Sequence, residues 1–168
     1  AAGALAALYV GGAVARIAAG LWSDRIEERV APLRRLTALS AALLLLAALL
    51  GAAGAPTVLL LPALLAGGVL AASWNGLSLT AATEMSGRER AGTAIGVQNT
   101  ILNGAGAIAP VAFASVVVAT SWPTAWALLA LSQLAGVAVL APLVSEERGR
   151  REARRSRSTQ RGPATLPG

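Results

Sequence analysis

The sequence predicts an all-α membrane protein, a partial bundle of five transmembrane helices with its N-terminus outside and its C-terminus in the cytoplasm. Three observations carry that prediction. Apolar residues make up 55% of the chain and charged residues 13%, against about a quarter charged in an ordinary soluble domain. The charge is also segregated. Residues 36–83 and 91–145 hold none, and each run is roughly two spans long at about 20 residues per span. Finally, the cations alternate along the chain: they fill one set of loops and are absent from the loops between.

The elements follow in order. The first span covers about 2–22 and holds a single charge, Arg16. A loop over 23–35 carries Arg25, Arg29, Arg34 and Arg35. The spans at about 36–54 and 57–83 are separated by "GAAGAPT", a Gly- and Pro-bearing turn signal without charge. Arg88 and Arg90 mark the next loop, and spans at about 91–119 and 124–144 follow, split by the uncharged "ATSWPT". By the positive-inside rule the Arg-bearing loops are cytoplasmic. Trp122 and Trp126 then fall at the outer interface and Trp22 near the inner one, as an aromatic belt requires. Pro62 and Pro110 are candidate kinks, which a membrane helix tolerates because neighbouring groups re-satisfy the freed backbone.

The transmembrane domain is thus residues 1–145, and residues 146–168 form a basic cytoplasmic tail. The tail is rich in Arg, Ser and Pro without apolar periodicity, so it is expected to be disordered. All fourteen basic residues are Arg, which with the abundant Ala suggests GC-rich coding and a bacterial source. Seven Arg follow residue 147. They read as a stop-transfer flank rather than a nucleic-acid binder, so no nucleic-acid partner is expected. The chain starts at Ala, already apolar, and is expected to be a fragment or a truncated gene model.

Cysteine and histidine are absent. That excludes disulfides, Cys/His metal sites and Cys or His nucleophiles. No phosphate-cradling Walker loop occurs. Enzyme activity has no support, and neither a cofactor nor a metal is expected.

The stretch "GGAVARIAAGLWSDR" (11–25) resembles the cytoplasmic loop signature of the major facilitator superfamily, in which a glycine, three further residues, an aspartate and a basic residue follow in order. Gly20, Asp24 and Arg25 occupy those roles, with Arg34 and Arg35 as the later cations. The family pattern has a glycine and a basic pair directly after the Asp-Arg step, where this chain has Ile26, Glu27 and Glu28. A second stretch, "SWNGLSLTAATEMSGRERAGTAIGVQNTILNGAGAIAP" (73–110), is similar to the family's tenth-to-eleventh helix region. The order and spacing imply helices eight to twelve of a secondary active transporter, working by alternating access in the inner (plasma) membrane. Its partners would then be the lipid bilayer, the missing N-terminal helices and a small-molecule substrate.

Polar groups at mid-membrane depth are costly and are therefore functional candidates. Arg16 lies two turns before Asp24, roughly 12 Å deeper at the helical rise. The resemblance to anion-transporting branches makes it a candidate for an anionic substrate; the alternative is a side chain that snorkels to the headgroups. Asn99 and Asn103 share a face, with Gln98 nearby; Trp74 and Asn75 sit beyond the centre of the third span. These five are candidate cavity-lining residues, or else interhelical hydrogen-bond partners. Ser73, Ser78, Thr80 and Thr83 are expected to bond to their own helix. Gly20, Asp24, Arg25 and Glu84 are the candidate cytoplasmic gate. Asp24 would accept from the start of the fourth span, and Arg25 would pair with Glu84. The rival reading is a multi-span membrane subunit or scaffold that does not transport, and a third is a tether whose basic tail recruits anionic ligands.

Overall fold

The computed structural model describes residues 2–87 and 89–160. Five helices follow one another: α1 (Ala2–Ile26), α2 (Val30–Ala52), α3 (Thr57–Ser86), α4 (Ala91–Ala119) and α5 (Trp122–Gln160). There is no strand among the described residues. All five are long and apolar enough to cross a bilayer. The turns on one end are uncharged. The other end gathers the α1–α2 loop, the α3–α4 loop and the continuation of α5.

The uncharged turns are closed by backbone chemistry. After α2, Gly54 adopts a φ of +72°, and Ala55 N–H donates to Leu50 O at 2.9 Å. This left-handed glycine ends the helix and satisfies carbonyls that would otherwise be orphaned. Pro56 then fixes the entry to α3. Phe113, Trp122 and Trp126 cluster across the α4–α5 turn, with ring centroids 4.9 to 6.5 Å apart. At the charged end, Arg35 lies over the Trp22 ring at 5.9 Å.

α2 is the hub. It packs along α3 on one side and α5 on the other. Ala41, Leu44, Ala47 and Ala48 are buried there, and Ser40 Oγ donates across to Gly67 O at 2.8 Å. α1 leans only on α3 over most of its length. Small residues set that approach: a Cβ on Gly12 would sit 3.2 Å from Ala72 Cβ. Without a water-driven hydrophobic effect, close backbone approach of this kind supplies much of the packing in lipid. α4 touches α3 and, lightly, α5, and none of its residues is buried.

Two boundaries differ most from the sequence reading; elsewhere the helices end within about four residues of it. α2 begins at Val30, six residues before the expected span start at 36. Pro32 falls in its first turn, where a missing N–H costs nothing. The second difference corrects the expectation of disorder from 146 onward: α5 runs unbroken to Gln160. Apolar periodicity was the wrong criterion for this stretch. Its Glu, Arg and Ala are good helix formers, and Glu147 pairs with Arg151 one turn on at 3.4 Å. Residues 161–168 of the expected tail lie outside the described residues.

Candidate functional site: a charged end and a polar layer within the spans

At the charged end three separate segments meet on one guanidinium. Arg29 sits between α1 and α2, with its side chain 19% exposed. Its Nη1 donates to Asp24 Oδ1 and to Ser23 Oγ at 3.0 Å. Its Nε donates to Glu84 Oε1, near the end of α3, at 3.2 Å. A planar fork can serve several acceptors at once in this way. The hydrogen bond to Asp24 raises the Arg29 pKa above its ordinary value, against a lowering by burial, and the charge of Glu84 adds to the rise.

α5 ties itself to the same loop. The Glu147 carboxylate accepts from two backbone N–H groups, Arg29 at 2.7 Å and Val30 at 3.0 Å. These are orphan donors at the start of α2, and a negative charge is favoured at a helix N-terminus. No side chain of α2's own N-cap residue does this job. Arg148 Nε pairs with Glu28 Oε1 at 3.1 Å, and Arg150 reaches Met85 O at 3.4 Å. The buried Ser23 hydroxyl donates to Glu28 O at 2.6 Å. Between these groups, α3 and the start of α4 lies an open cleft of about 730 Å³.

The gate expected from sequence is therefore rearranged. Asp24 and Glu84 do come together, but through Arg29 and not Arg25. Asp24 does not reach α4, since the α1 and α4 backbones do not pack together. Gly20 has open space where a Cβ would stand. Glu27 occupies the left-handed region, at φ +54°. That is the conformation a glycine takes most cheaply, so the loop turns at an acidic residue in a strained backbone position. Sequence reasoning missed Arg29, Ser23 and Glu147. Arg29 and Glu147 earn their places through partners far along the chain, and Ser23 through the turn that brings Glu28 and Arg29 back over α1; no local spacing marks any of them.

Within the spans, Arg16 is exposed and Nη2 donates to Ala72 O of α3 at 3.2 Å. Its stem lies over Gly76, where a Cβ would meet Arg16 Cγ at 3.6 Å. Gln98 Nε2 donates to Ser78 Oγ at 2.7 Å, so this amide joins α4 to α3. Asn99 and Asn103 are exposed on another face of α4. Asn75 lies on the helical wheel midway between Ala72, which faces α1, and Ser78, which faces α4; its Oδ1 is buried without a donor. Trp74 is separate from these: it packs against the buried cluster of Ala19, Leu33 and Leu77. Ser73, Ser78, Thr80 and Thr83 bond to carbonyls of their own helix at 2.7 to 3.1 Å, as expected. No cluster of carboxylates that could hold a metal occurs among the described residues.

Five apolar helices of spanning length, with an ion-pair network gathered at one end, define a multi-pass α-helical membrane protein. The model of the Major Facilitator Superfamily matches residues 1–166, and the chain belongs to that superfamily. It is 39% identical over 145 residues to the "Uncharacterized MFS-type transporter Rv2994" of Mycobacterium tuberculosis strain H37Rv, covering 84% of this chain and 32% of the relative. To the "Uncharacterized MFS-type transporter MT3072" of Mycobacterium tuberculosis strain CDC 1551 it is 38% identical, with the same coverage. The chain thus spans about a third of the length of these curated relatives. No solved structure matches it.

Proposed function

We propose that the chain is the C-terminal part, helices eight to twelve, of a secondary active transporter for a small solute, working by alternating access in a bacterial plasma membrane. The observation that carries this reading is the Arg29 junction. One partly buried guanidinium joins the α1–α2 loop to the end of α3 through Asp24 and Glu84. A contact of that kind holds one face of a bundle shut, and it can break without unfolding any helix. The Arg-bearing loops at this face support a cytoplasmic position for it by the positive-inside rule.

Asp24, Arg29 and Glu84 form the gate in this reading, with Glu147 holding the loop in place. Arg16, Asn75, Asn99 and Asn103 line the solute path. Arg16 has further guanidinium N–H groups beyond its bond to Ala72 and makes an anionic solute the leading class. Gln98 and Trp74 support α3 and do not line the path.

Uptake by the full-length transporter, across a panel of organic and inorganic anions, tests the reading. Wild type is expected to accumulate at least one anion, and Arg16→Ala to lose most of that uptake with membrane insertion intact. Equal uptake by the two proteins rejects Arg16 as the solute-binding charge. Absence of uptake for every solute leaves a multi-span scaffold.

A further inference from the structure

Arg25 belongs to the loop signature, yet the Arg29 junction leaves it out. It makes no ion pair among the described residues, and neither do Arg34 and Arg35. All three are exposed. The carboxylates of the same loop are engaged elsewhere, Asp24 on Arg29 and Glu28 on Arg148. One contact draws the three cations to a common corner. The Arg35 guanidinium lies over the Trp22 ring, 5.9 Å from its centroid. Arg25 follows Trp22 by one helical turn of α1, so the two share a face. Arg34 adjoins Arg35 on α2.

The corner stands at the foot of two apolar stripes. Both α1 and α2 pack on α3, while their backbones pack very little on each other, so their outer faces lie open. On α2, Arg35 is continued at helical spacing by Leu39, Leu46 and Leu49, all exposed. On α1, Arg25 is continued in the same way by Leu21, Ile17 and Val14. Cations and open apolar surface therefore follow one another along the same lines. Trp22 lies at their boundary, and rings of this kind settle at the headgroup level of a bilayer.

We infer that this corner binds one anionic phospholipid. Its phosphodiester sits between the Arg25 and Arg35 guanidinium groups, Arg34 adds to the field, and its acyl chains run along the stripes of α1 and α2. Guanidinium is suited to this, because its planar fork donates paired N–H groups to phosphate oxygens. The apolar stripes select the source of the phosphate. A free phosphate ion meets the same cations but gains nothing from Leu39 or Leu21. A zwitterionic headgroup brings an ammonium into a cluster of three cations and is disfavoured there. The site needs only that the helices span a bilayer and does not depend on transport.

The test titrates the full-length transporter, in a non-ionic detergent, with dioleoylphosphatidylglycerol or with dioleoylphosphatidylcholine as the zwitterionic reference. Bound lipid is counted by native mass spectrometry. Wild type is expected to hold one phosphatidylglycerol about tenfold more tightly than phosphatidylcholine, from a gain of about fivefold per juxtamembrane cation. The triple variant Arg25→Gln, Arg34→Gln, Arg35→Gln is expected to lose that preference. A charge-matched triple at the far end of α5, Arg154→Gln, Arg155→Gln, Arg157→Gln, is expected to keep it. Equal affinity for the two lipids overturns the site, and so does an equal loss in both triples, which is the mark of general charge attraction. Excess inorganic phosphate is expected to leave the lipid bound; its displacement of the lipid overturns the assignment in favour of a soluble anion. Should the first triple fail to insert, Arg25→Gln alone removes a side chain with no ion pair to lose. It is expected to weaken phosphatidylglycerol binding about fivefold, and an unchanged affinity overturns the site. Solute uptake plays no part in these readouts, so lack of uptake with the lipid bound retires the transport reading alone.

Discussion

Arg29 and Glu147 show how much one side chain settles at the charged end. Arg29 serves Asp24 and Ser23 through Nη1 and Glu84 through Nε, a geometry that Lys cannot copy with a single ammonium. Arg29→Gln is expected to favour the inward-open state of the transporter. Labelling of an Asn99→Cys variant by a membrane-impermeant maleimide from the cytoplasmic side should rise several-fold; an unchanged rate would count against the gate. The raised pKa of Arg29 fixes the sign of any pH effect from this group. Its stabilisation is fully present below the ordinary arginine value and is lost only as pH climbs through the still higher folded value, so this arginine stays charged over physiological pH. Glu147 acts on the backbone instead. Its side chain is 11% exposed, and Glu147→Ala strips the caps from two N–H groups of α2. The expected cost is about 1 kcal/mol, the usual loss when a capping side chain is removed. A lower thermal midpoint in detergent would register it, and no change would show that water replaces the carboxylate freely.

Among the elements, α5 departs most from the sequence reading. Its apolar half was legible from hydropathy, and its charged half was not. Residues 146–160 lack an apolar stripe, so periodicity could not mark them as helix. The helix persists because it is continuous with a span and is held by Glu147 and Arg148 against the α1–α2 loop. Deleting 149–168 keeps both anchors, so the thermal midpoint is expected to stay nearly unchanged. Deleting 147–168 removes both and is expected to cost more than Glu147→Ala alone. Equal midpoints for the two truncations would show that the anchors contribute nothing. α4 makes the converse point. Its boundaries, 91–119, were fully legible from the charge-free run and its flanking turn. Its surroundings were not, because a helix with apolar residues all round does not say which face meets protein and which meets lipid.

For the whole molecule, the two ends are built from different physics. The uncharged end is held by a left-handed glycine turn, a cluster of three aromatic rings and the approach of Gly51 to Pro123, where a Cβ would meet Pro123 Cγ at 3.1 Å. At the charged end, the Arg29 ion pairs have acidic partners that are half to two-thirds exposed, 50% for Glu84 and 63% for Asp24. Such pairs are screened by salt, whose Debye length shrinks to about 3 Å at 1 M. Raising salt on the reconstituted transporter is therefore expected to increase cytoplasmic labelling of the Asn99→Cys variant and to leave labelling from the outside no higher. A rise on both faces would mean general loosening and not gate release.

The sequence alone determined the five spans, their order, the segregation of charge to one end and the resemblance to a transporter family. These follow from one-dimensional quantities: the length of apolar runs, the positions of Arg and the spacing of Gly20, Asp24 and Arg25. The tertiary structure decided which cation closes the loop, which carboxylate caps α2 and which amides are left without donors. Arg25 and Arg29 are equally charged and only four residues apart, and nothing in the string of letters ranks them. The rank comes from helix ends: α1 stops at Ile26 with Glu27 in the left-handed region, and the chain turns so that Arg29 lies between Asp24 and Glu84. Partners 55 and 118 residues away are brought within hydrogen-bond range by packing α2 between α3 and α5, and no local pattern encodes that arrangement.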